Sequence, residues 1–347
     1  MLLIETIELF EMLRFMKRGR FLVLTTFHDI MTLQDMARKI RVEYPGAIYH
    51  VMSRGDRCEE IFKADSDRER FLETLGEVCV KTSWQVHAVC LMGNHFHLVV
   101  ETPHGNLIAG MKWFLGIYTA RFNRRHKLFG HLFSGRYKAL IVDGSENGYL
   151  KTVCDYVHLN PSRAKLLKPK KPLSAYRWSS WPEYLKAPGK RWEWLRVDRL
   201  LGEYRIPKDS VAGREVLEQA VEARRAAEAV AEYRAIRRGW CLGEESFRKK
   251  LLAQMTERIG AEHCGDERLE TEVARAERIV HAELKRRKWK EGELVERAKG
   301  DVAKVAIAGR LREETMVTVR WIAERLAMGT ASYVNNRLYR WRKGTLM

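Results

Sequence analysis

The chain has 347 residues, 46% of them hydrophobic, enough for two or three apolar cores and too many for a disordered polyelectrolyte. Its 63 lysines and arginines against 45 aspartates and glutamates leave a net charge of +18 and a pI near 9.7, the balance of a protein that meets polyanions, nucleic acid first among them. Six cysteines, at 58, 79, 90, 154, 241 and 264, stand singly without CxxC spacing, which argues against a zinc site or a disulfide framework and fits a reducing cytoplasm. The apolar start, Met1 to Asp35, is broken by Glu5, Glu8, Glu11, Arg14 and Lys17 and holds no run near the ~20 residues that cross a bilayer. No membrane partner is expected. That segment, 1–35, reads as a surplus extension, and Met36 as the opening of the first domain.

From Ala47 to Ser53, "AIYHVMS" reads as a strand ended by the loop "RGDR". "DSDRERFLETLGEVCVKTS" follows with Asp and Ser at its start and Phe71, Leu72, Leu75 and Val78 at helical spacing. "WQVHAVCLM" and "HFHLVVE", separated by Gly93 and Asn94, predict a hairpin whose turn uses those two residues at positive φ. An amphipathic helix, "NLIAGMKWFLGIYTARFNRRH", is expected next, then a strand over 137–143. "SENGYLKTVCDYVHLNP" predicts a helix capped by Ser145 and stopped by Pro161. The order β-α-β-β-α-β-α predicts an α+β fold: a ferredoxin-like (RRM-like) antiparallel sheet with helices on one face and the other face open for a substrate. Residues 36–165 are taken as this domain, 166–206 as a basic, Trp-rich connector, and 207–347 as a mainly helical region, helical from about Ser210 to Arg238 and again from about Glu267.

Strand alternation puts His95, His97, Val99 and Glu101 on one face and Phe96, Leu98 and Val100 on the other. Two imidazoles on one exposed face can grip one divalent ion, or they are plain polar surface. On the helix before Pro161, Tyr156 and Asn160 share a face. Tyr156 is either a nucleophile for phosphoryl transfer, with the Asn160 amide oxygen a third metal ligand, or a core aromatic beside a helix cap. The residues alone leave both pairs of readings open.

"GNHFHLVVE" resembles the HUH motif (His, bulky hydrophobic, His) of single-strand DNA endonucleases. "YLKTVCDYVHLNPSRAKLL" resembles the tyrosine-helix signature of the REP-associated tyrosine transposases, and "EYPGAIYHVMSRGDR", "GRYKALIVD" and "YRWSSWPEYL" match the same family's flanking pattern in the same order. The resemblance covers roughly Arg38 to Leu201 and implies the HUH endonuclease fold. It also implies Mg²⁺ or Mn²⁺ on His95 and His97, with Asn160 as third ligand. Tyr156 would attack a phosphodiester of single-stranded DNA, leaving a 5′-phosphotyrosine and a free 3′-OH, and a later 3′-OH could rejoin the strand. The family pattern assigns Glu101 no role, and surface is the better reading for it.

Arg121, Arg124, Arg125 and Lys127, with Lys168, Lys170 and Lys171, are candidate phosphate contacts; Trp113, Trp178 and Trp181 are available for base stacking. Near the end, "TVRWIAERLAMGTASYVNNRLYRWRKG" has helix-turn-helix spacing at about 317–342, with Ala323, Leu326, Val334 and Leu338 as packing positions. Thr330, Ser332, Tyr333, Asn335, Asn336 and Arg337 then lie along a recognition helix. The partner expected is single-stranded or hairpin DNA, at REP-like repeats, with the protein a monomer or a homodimer. The competing reading is a catalytically inactive DNA-binding regulator that uses the helix-turn-helix. A single-stranded RNA binder of similar topology lacks its aromatic-rich strand motif.

Overall fold

Alternation makes β1, Ala47–Arg54, two-sided: Tyr49 and Val51 point to one face, His50 and Met52 to the other. In the computed structural model of the chain, residues 42–145, 147–168, 170–227, 233, 236, 239–260 and 266–343 are described, and β1 is central. The expected extension 1–35 and the opening at Met36 lie outside the described residues, as does most of 228–238. β1 pairs antiparallel with β3 (His95–Thr102) on one side and β4 (Lys138–Val142) on the other, and β3 pairs with β2 (Gln85–Leu91). The order β2-β3-β1-β4 is the ferredoxin-like arrangement. A fifth strand, β5 (Cys241–Leu242), joins β4 in parallel; two residues are too few for a period to show.

α1 (Asp65–Thr82) and α2 (Leu107–His126) pack together on the Tyr49/Phe96 face. Their apolar stripes meet there: Phe71 lies 4.9 Å from Phe96, 4.8 Å from Phe114 and 4.9 Å from Tyr118, centroid to centroid, and all four are buried. Trp84 joins the two helices. Its Nε1 donates to Asn106 Oδ1 at 2.8 Å, and Asn106 Nδ2 donates to the Thr82 carbonyl at 3.0 Å.

The β2–β3 hairpin forms where expected, but neither Gly93 nor Asn94 takes a positive φ. The turn is held from outside instead. Gly55 N donates to the Asn94 carbonyl at 2.8 Å and Ile61 N to the Gly93 carbonyl at 3.2 Å, so the loop after β1 sets the turn geometry.

The face expected to stay open is covered. α3 (Tyr149–His158) lies across it and buries Leu150, Val153, Cys154 and Val157. The helix starts at Tyr149 rather than at Ser145, because Gly148 at φ 80° breaks the chain direction; the Ser145 amide instead donates to Asp143 Oδ1 at 3.0 Å. Nor does Pro161 end the helical course. A further turn, Asn160–Arg163, follows Leu159 with Pro161 in its first turn, where a missing N–H breaks no helical hydrogen bond.

α4 (Asp198–Glu203) and α5 (Val211–Ala226) back α3, so the first core runs from Val42 through Leu217 and Val221 to Leu251. A second core, Ala276 to Leu338, is built by α7 (Asp266–Arg287), α8 (Val302–Glu314), α9 (Val319–Arg325) and α10 (Ala331–Arg342), after α6 (Glu245–Gly260). It docks on the end of α1: Lys81 Nζ donates to the Glu313 carbonyl at 3.0 Å, and Arg275 to the Lys81 carbonyl at 2.6 Å. Among the described residues no helix is long and apolar enough to cross a membrane.

Gly110 is the tightest helix position with a ring against it: a Cβ there would lie 2.1 Å from Trp84 Cζ2. Gly110→Ala is expected to lower stability by about 1–3 kcal/mol, the usual range for overpacking. Denaturant unfolding checks this, and an unchanged midpoint would show that Trp84 has room to turn.

Candidate active site

The alternation of β3 aims His95 and His97 at α3, and the register that pairs Met52 with His97 and His50 with Val99 sets His50 beside them. The helical period of α3 turns Tyr156 onto the same spot. Its ring meets His97 at 5.7 Å and His50 at 5.6 Å, edge to face in both cases, and His95 lies 5.1 Å from His97. Tyr149, at the first position of α3, is not among the rings that meet the histidines. His97 is 4% exposed and Tyr156 and Asn160 are 8% exposed each, so His97 does not project from an open surface, while His95 is half-buried.

Two hydrogen bonds organise the imidazoles. His95 Nδ1 lies 2.7 Å from Asn94 Oδ1; a carboxamide oxygen can only accept, so Nδ1 carries the proton and Nε2 keeps its lone pair. His97 Nδ1 lies 2.9 Å from His50 Nε2. Burial keeps all three rings neutral. It pushes His95 down to about 4, with help from Arg54, and His50 down to about 4, with help from Arg163. His97 is held well below its ordinary value by burial first and by its histidine neighbours second. Lone pairs on these rings therefore survive well into acid, below the unperturbed 6.5 that an exposed pair would follow.

Asn160 sits one helical turn beyond Tyr156 as expected, but Arg163 engages both. Its guanidinium lies 4.2 Å from the centre of the Tyr156 ring, donates to Asn160 Oδ1 at 2.9 Å and bonds the Tyr156 carbonyl. Asn160 Nδ2 is buried without a hydrogen-bond partner. Among the described residues no three His, Cys, Asp or Glu side chains cluster as a metal cage. The available donor set is two neutral imidazoles and one carboxamide oxygen with a remaining lone pair, which suits a small divalent cation that keeps some of its water.

A family model described as transposase IS200-like matches residues 43–160, from just before β1 to Asn160. The matched segment holds the four antiparallel strands, α1, α2 and α3. The chain is also distantly similar to a solved structure described as a REP-associated tyrosine transposase bound to a REP hairpin. That likeness is at 12% identity, over 42% of this chain and 82% of that one, with a TM-score of 0.35. No curated protein sequence matches the chain.

The other expected contact residues are dispersed. Arg121, Arg124, Arg125 and Lys127 end α2, on the sheet face opposite the histidines; Arg121 is tied to Glu77 at 2.8 Å and Arg125 to Asp67 at 3.5 Å, while Arg124 and Lys127 are exposed. Lys168, Lys170 and Lys171 are exposed on the stretch that follows the tyrosine helix. Trp181 is wholly buried against His158 and Tyr184 and has no face for a base. Trp113 and Trp178 are partly buried with cations over their rings.

In the tail, Ala323, Leu326, Val334 and Leu338 are buried as their spacing predicts. Thr330 caps α10, its hydroxyl accepting from Tyr333 N at 3.2 Å, and Arg337 donates to the Gly300 carbonyl at 2.7 Å, so both serve the fold. Asn335 and Asn336 are exposed.

Three participants escape a reading of the sequence: His50, Arg163 and Tyr233, the last 5.2 Å from Tyr156. For His50 the signal was present, since the β1 alternation and one register decision suffice to place it. Glu101, expected at the surface, is partly buried, with Arg199 at 2.7 Å, His87 at 3.1 Å and Arg196 at 3.2 Å. Against the upward push of burial, the His87 hydrogen bond and the two guanidinium charges hold its carboxyl below the usual range.

His50 and His158 are neutral in the folded protein, pushed down to about 4 and about 3 by burial, and protonate near 6.5 once unfolded. The unfolded state then binds more protons between those values, so stability is full above about pH 6.5 and is lost as pH falls toward about pH 4. The thermal midpoint of the full chain is expected to drop across that window. A flat midpoint there would mean that these rings are not buried in solution.

Proposed function

We propose that the chain is a metal-dependent single-stranded DNA endonuclease and strand transferase that works at hairpin-forming repeats through Tyr156. What carries the reading is the meeting of the Tyr156 ring with His97 across the interface of α3 and the sheet, beside a His95 ring whose Nε2 lone pair is free to bind. The phenolic oxygen of Tyr156 attacks phosphorus, the bond to the 3′ oxygen breaks, and a 3′-OH leaves while the 5′ side stays on the tyrosine as a phosphotyrosine. Attack by another 3′-OH reverses the exchange and frees Tyr156, so one phosphodiester is exchanged for another without an outside energy source. Mg²⁺ or Mn²⁺ held by His95, His97 and Asn160 Oδ1 would polarise the phosphate and support the charge on the attacking and leaving oxygens. Arg163 adds a positive charge beside the nucleophile.

The basic stretch Lys168, Lys170, Lys171 and the exposed Arg124 and Lys127 are read as phosphate contacts, and the exposed Asn335 and Asn336 of α10 as contacts to duplex DNA. Residues 36–165 are read as the catalytic domain, 166–206 as its connector, and 317–342 as a helix-turn-helix within the region 207–347. The site of action is read as the cytoplasm.

Tyr156→Phe removes one hydroxyl and almost no volume. Incubated with Mn²⁺ and labelled single-stranded repeats, wild type is expected to yield a covalent adduct and the variant none, with DNA binding retained. An adduct on the Phe variant would end the assignment. A chain without any adduct in either form would leave the regulator reading in its place.

Replacing both His95 and His97 by Ala is expected to abolish Mn²⁺ binding in calorimetry. Because His97 is buried and bonded to His50, the same change also leaves a polar group unpaired and lowers stability by about 1–3 kcal/mol. Equal Mn²⁺ binding by the two proteins would return the histidines to a structural role.

A chain ending after Gly260 keeps Leu217, Val221 and Leu251 in the first core and removes the second. It is expected to cut a short oligonucleotide and to bind a duplex-bearing target more weakly than the full chain at matched salt. Equal affinity would remove α10 from DNA recognition.

A further inference from the structure

The contact between His50 and His97 has a property that the other hydrogen bonds of the site lack: either ring could donate. The nitrogens are 2.9 Å apart, and the rings are within 10° of coplanar with centroids 5.1 Å apart, the spacing of two imidazoles meeting edge to edge with the nitrogens in line. One proton occupies that line. If His50 Nε2 donates, His97 accepts at Nδ1 and carries its own proton on Nε2, leaving no lone pair for a cation. If His97 Nδ1 donates, its Nε2 keeps a lone pair, as His95 Nε2 does opposite Asn94. The two arrangements differ in the tautomer of both rings, and they decide whether His97 can act as a ligand.

We propose that His50 is a positioning residue: with its proton on Nδ1, it accepts from His97 Nδ1–H and so fixes His97 in the tautomer and ring orientation that present Nε2 to a divalent cation. This rests on the proposed metal-binding role of His95 and His97. His50 comes from a different strand, has its Nε2 committed to His97 and meets Tyr156 edge-on at 5.6 Å. It therefore fixes the relation between the ligand strand and the nucleophile without touching either DNA or metal. Ligating histidines commonly have such a partner on their second nitrogen, and its loss typically weakens metal affinity by about 10–100-fold. Here the partner is an imidazole rather than a carboxylate, which keeps the buried cluster free of negative charge.

The tautomers are readable directly. In the full-length wild-type protein, uniformly ¹³C,¹⁵N-labelled, at neutral pH and with no metal, long-range ¹H–¹⁵N spectra assigned through the backbone resonances are expected to show Nδ1–H on both His50 and His97. Nε2–H on His97 would overturn the proposal, and this measurement stands even where a substituted chain fails to fold. With Mn²⁺ as the probe, His50→Phe keeps the ring volume and removes the acceptor, so its affinity is expected to fall by about 10–100-fold, whereas His50→Gln, whose side-chain oxygen can still accept, should stay within about threefold of wild type. Wild-type affinity in His50→Phe, or an equal loss in both variants, would also overturn it. His97→Ala separates the two levels. If it binds Mn²⁺ like wild type, the proposed metal site itself falls and this inference with it; if it loses binding while His50→Phe does not, only the role of His50 falls.

Discussion

The carboxylate of Asp155 is the constraint on which the site depends. It is wholly buried in the middle of α3, paired with Arg224 of α5 at 2.8 Å and accepting from Tyr204 at the end of α4 at 2.6 Å. A buried carboxylate with those partners removed would cost several kcal/mol. The two backing helices are therefore obliged to stay, and α3 is held between them and the sheet. Residues next to each other on a helix point about 100° apart, so a charge facing outward at Asp155 fixes where Tyr156 faces. On the following turn His158 Nε2 meets Ser180 Oγ at 2.9 Å, and that serine also donates to the Val89 carbonyl and accepts from its amide. The nucleophile candidate is thus located by polar anchors on both sides of it, none of which belongs to the chemistry.

That arrangement explains why so basic a chain can bury histidines without charging them. The net charge of +18 already disfavours further protons, and in the cluster Arg54 and Arg163 act in the same direction as burial. Neutral imidazoles have a lone pair and a donor each, so they can bond one another where two ammonium groups would repel. Among the basic side chains, only imidazole offers that combination at neutral pH. The helical tail shows the contrasting solution for a buried cation: Lys304, wholly buried, spends its ammonium on the carbonyls of Leu294, Ala327 and Arg297 at 2.8, 3.1 and 3.3 Å.

Much of this was legible in the chain's own periodicity. The His-x-His alternation, the ferredoxin-like order of four strands, Tyr156 and Asn160 one turn apart, and the four packing positions of the tail helices all follow from periods of 2 and 3.6 that act over ten residues. What escaped is non-local. The cover over the histidine face comes from residues far along the chain, and a period cannot say that Leu217 and Val221 pack behind α3. The hairpin turn misled for the same reason: Gly93 and Asn94 are turn formers, but their carbonyls are fixed by amides of Gly55 and Ile61. Glu101 looked like surface because its three partners lie on β2, just before α4 and in the first turn of α4.

The histidine face carries two polar networks, and their difference separates scaffold from site. At one end Glu101 takes His87, Arg196 and Arg199 on the single oxygen Oε2, so the carboxylate fastens the start of α4 to the sheet. At the other end the groups are held firmly but not used up. His95 spends Nδ1 on Asn94, His97 spends Nδ1 on His50, Asn160 spends one lone pair on Arg163, and the buried Asn160 Nδ2 has no partner. Native chains leave few buried polar atoms unsatisfied, because each costs about 1–3 kcal/mol. The first network too leaves a buried atom, His87 Nδ1, without a partner, so what sets the second apart is its place: His97 lies against the Tyr156 ring, and Asn160 shares Arg163 with that ring.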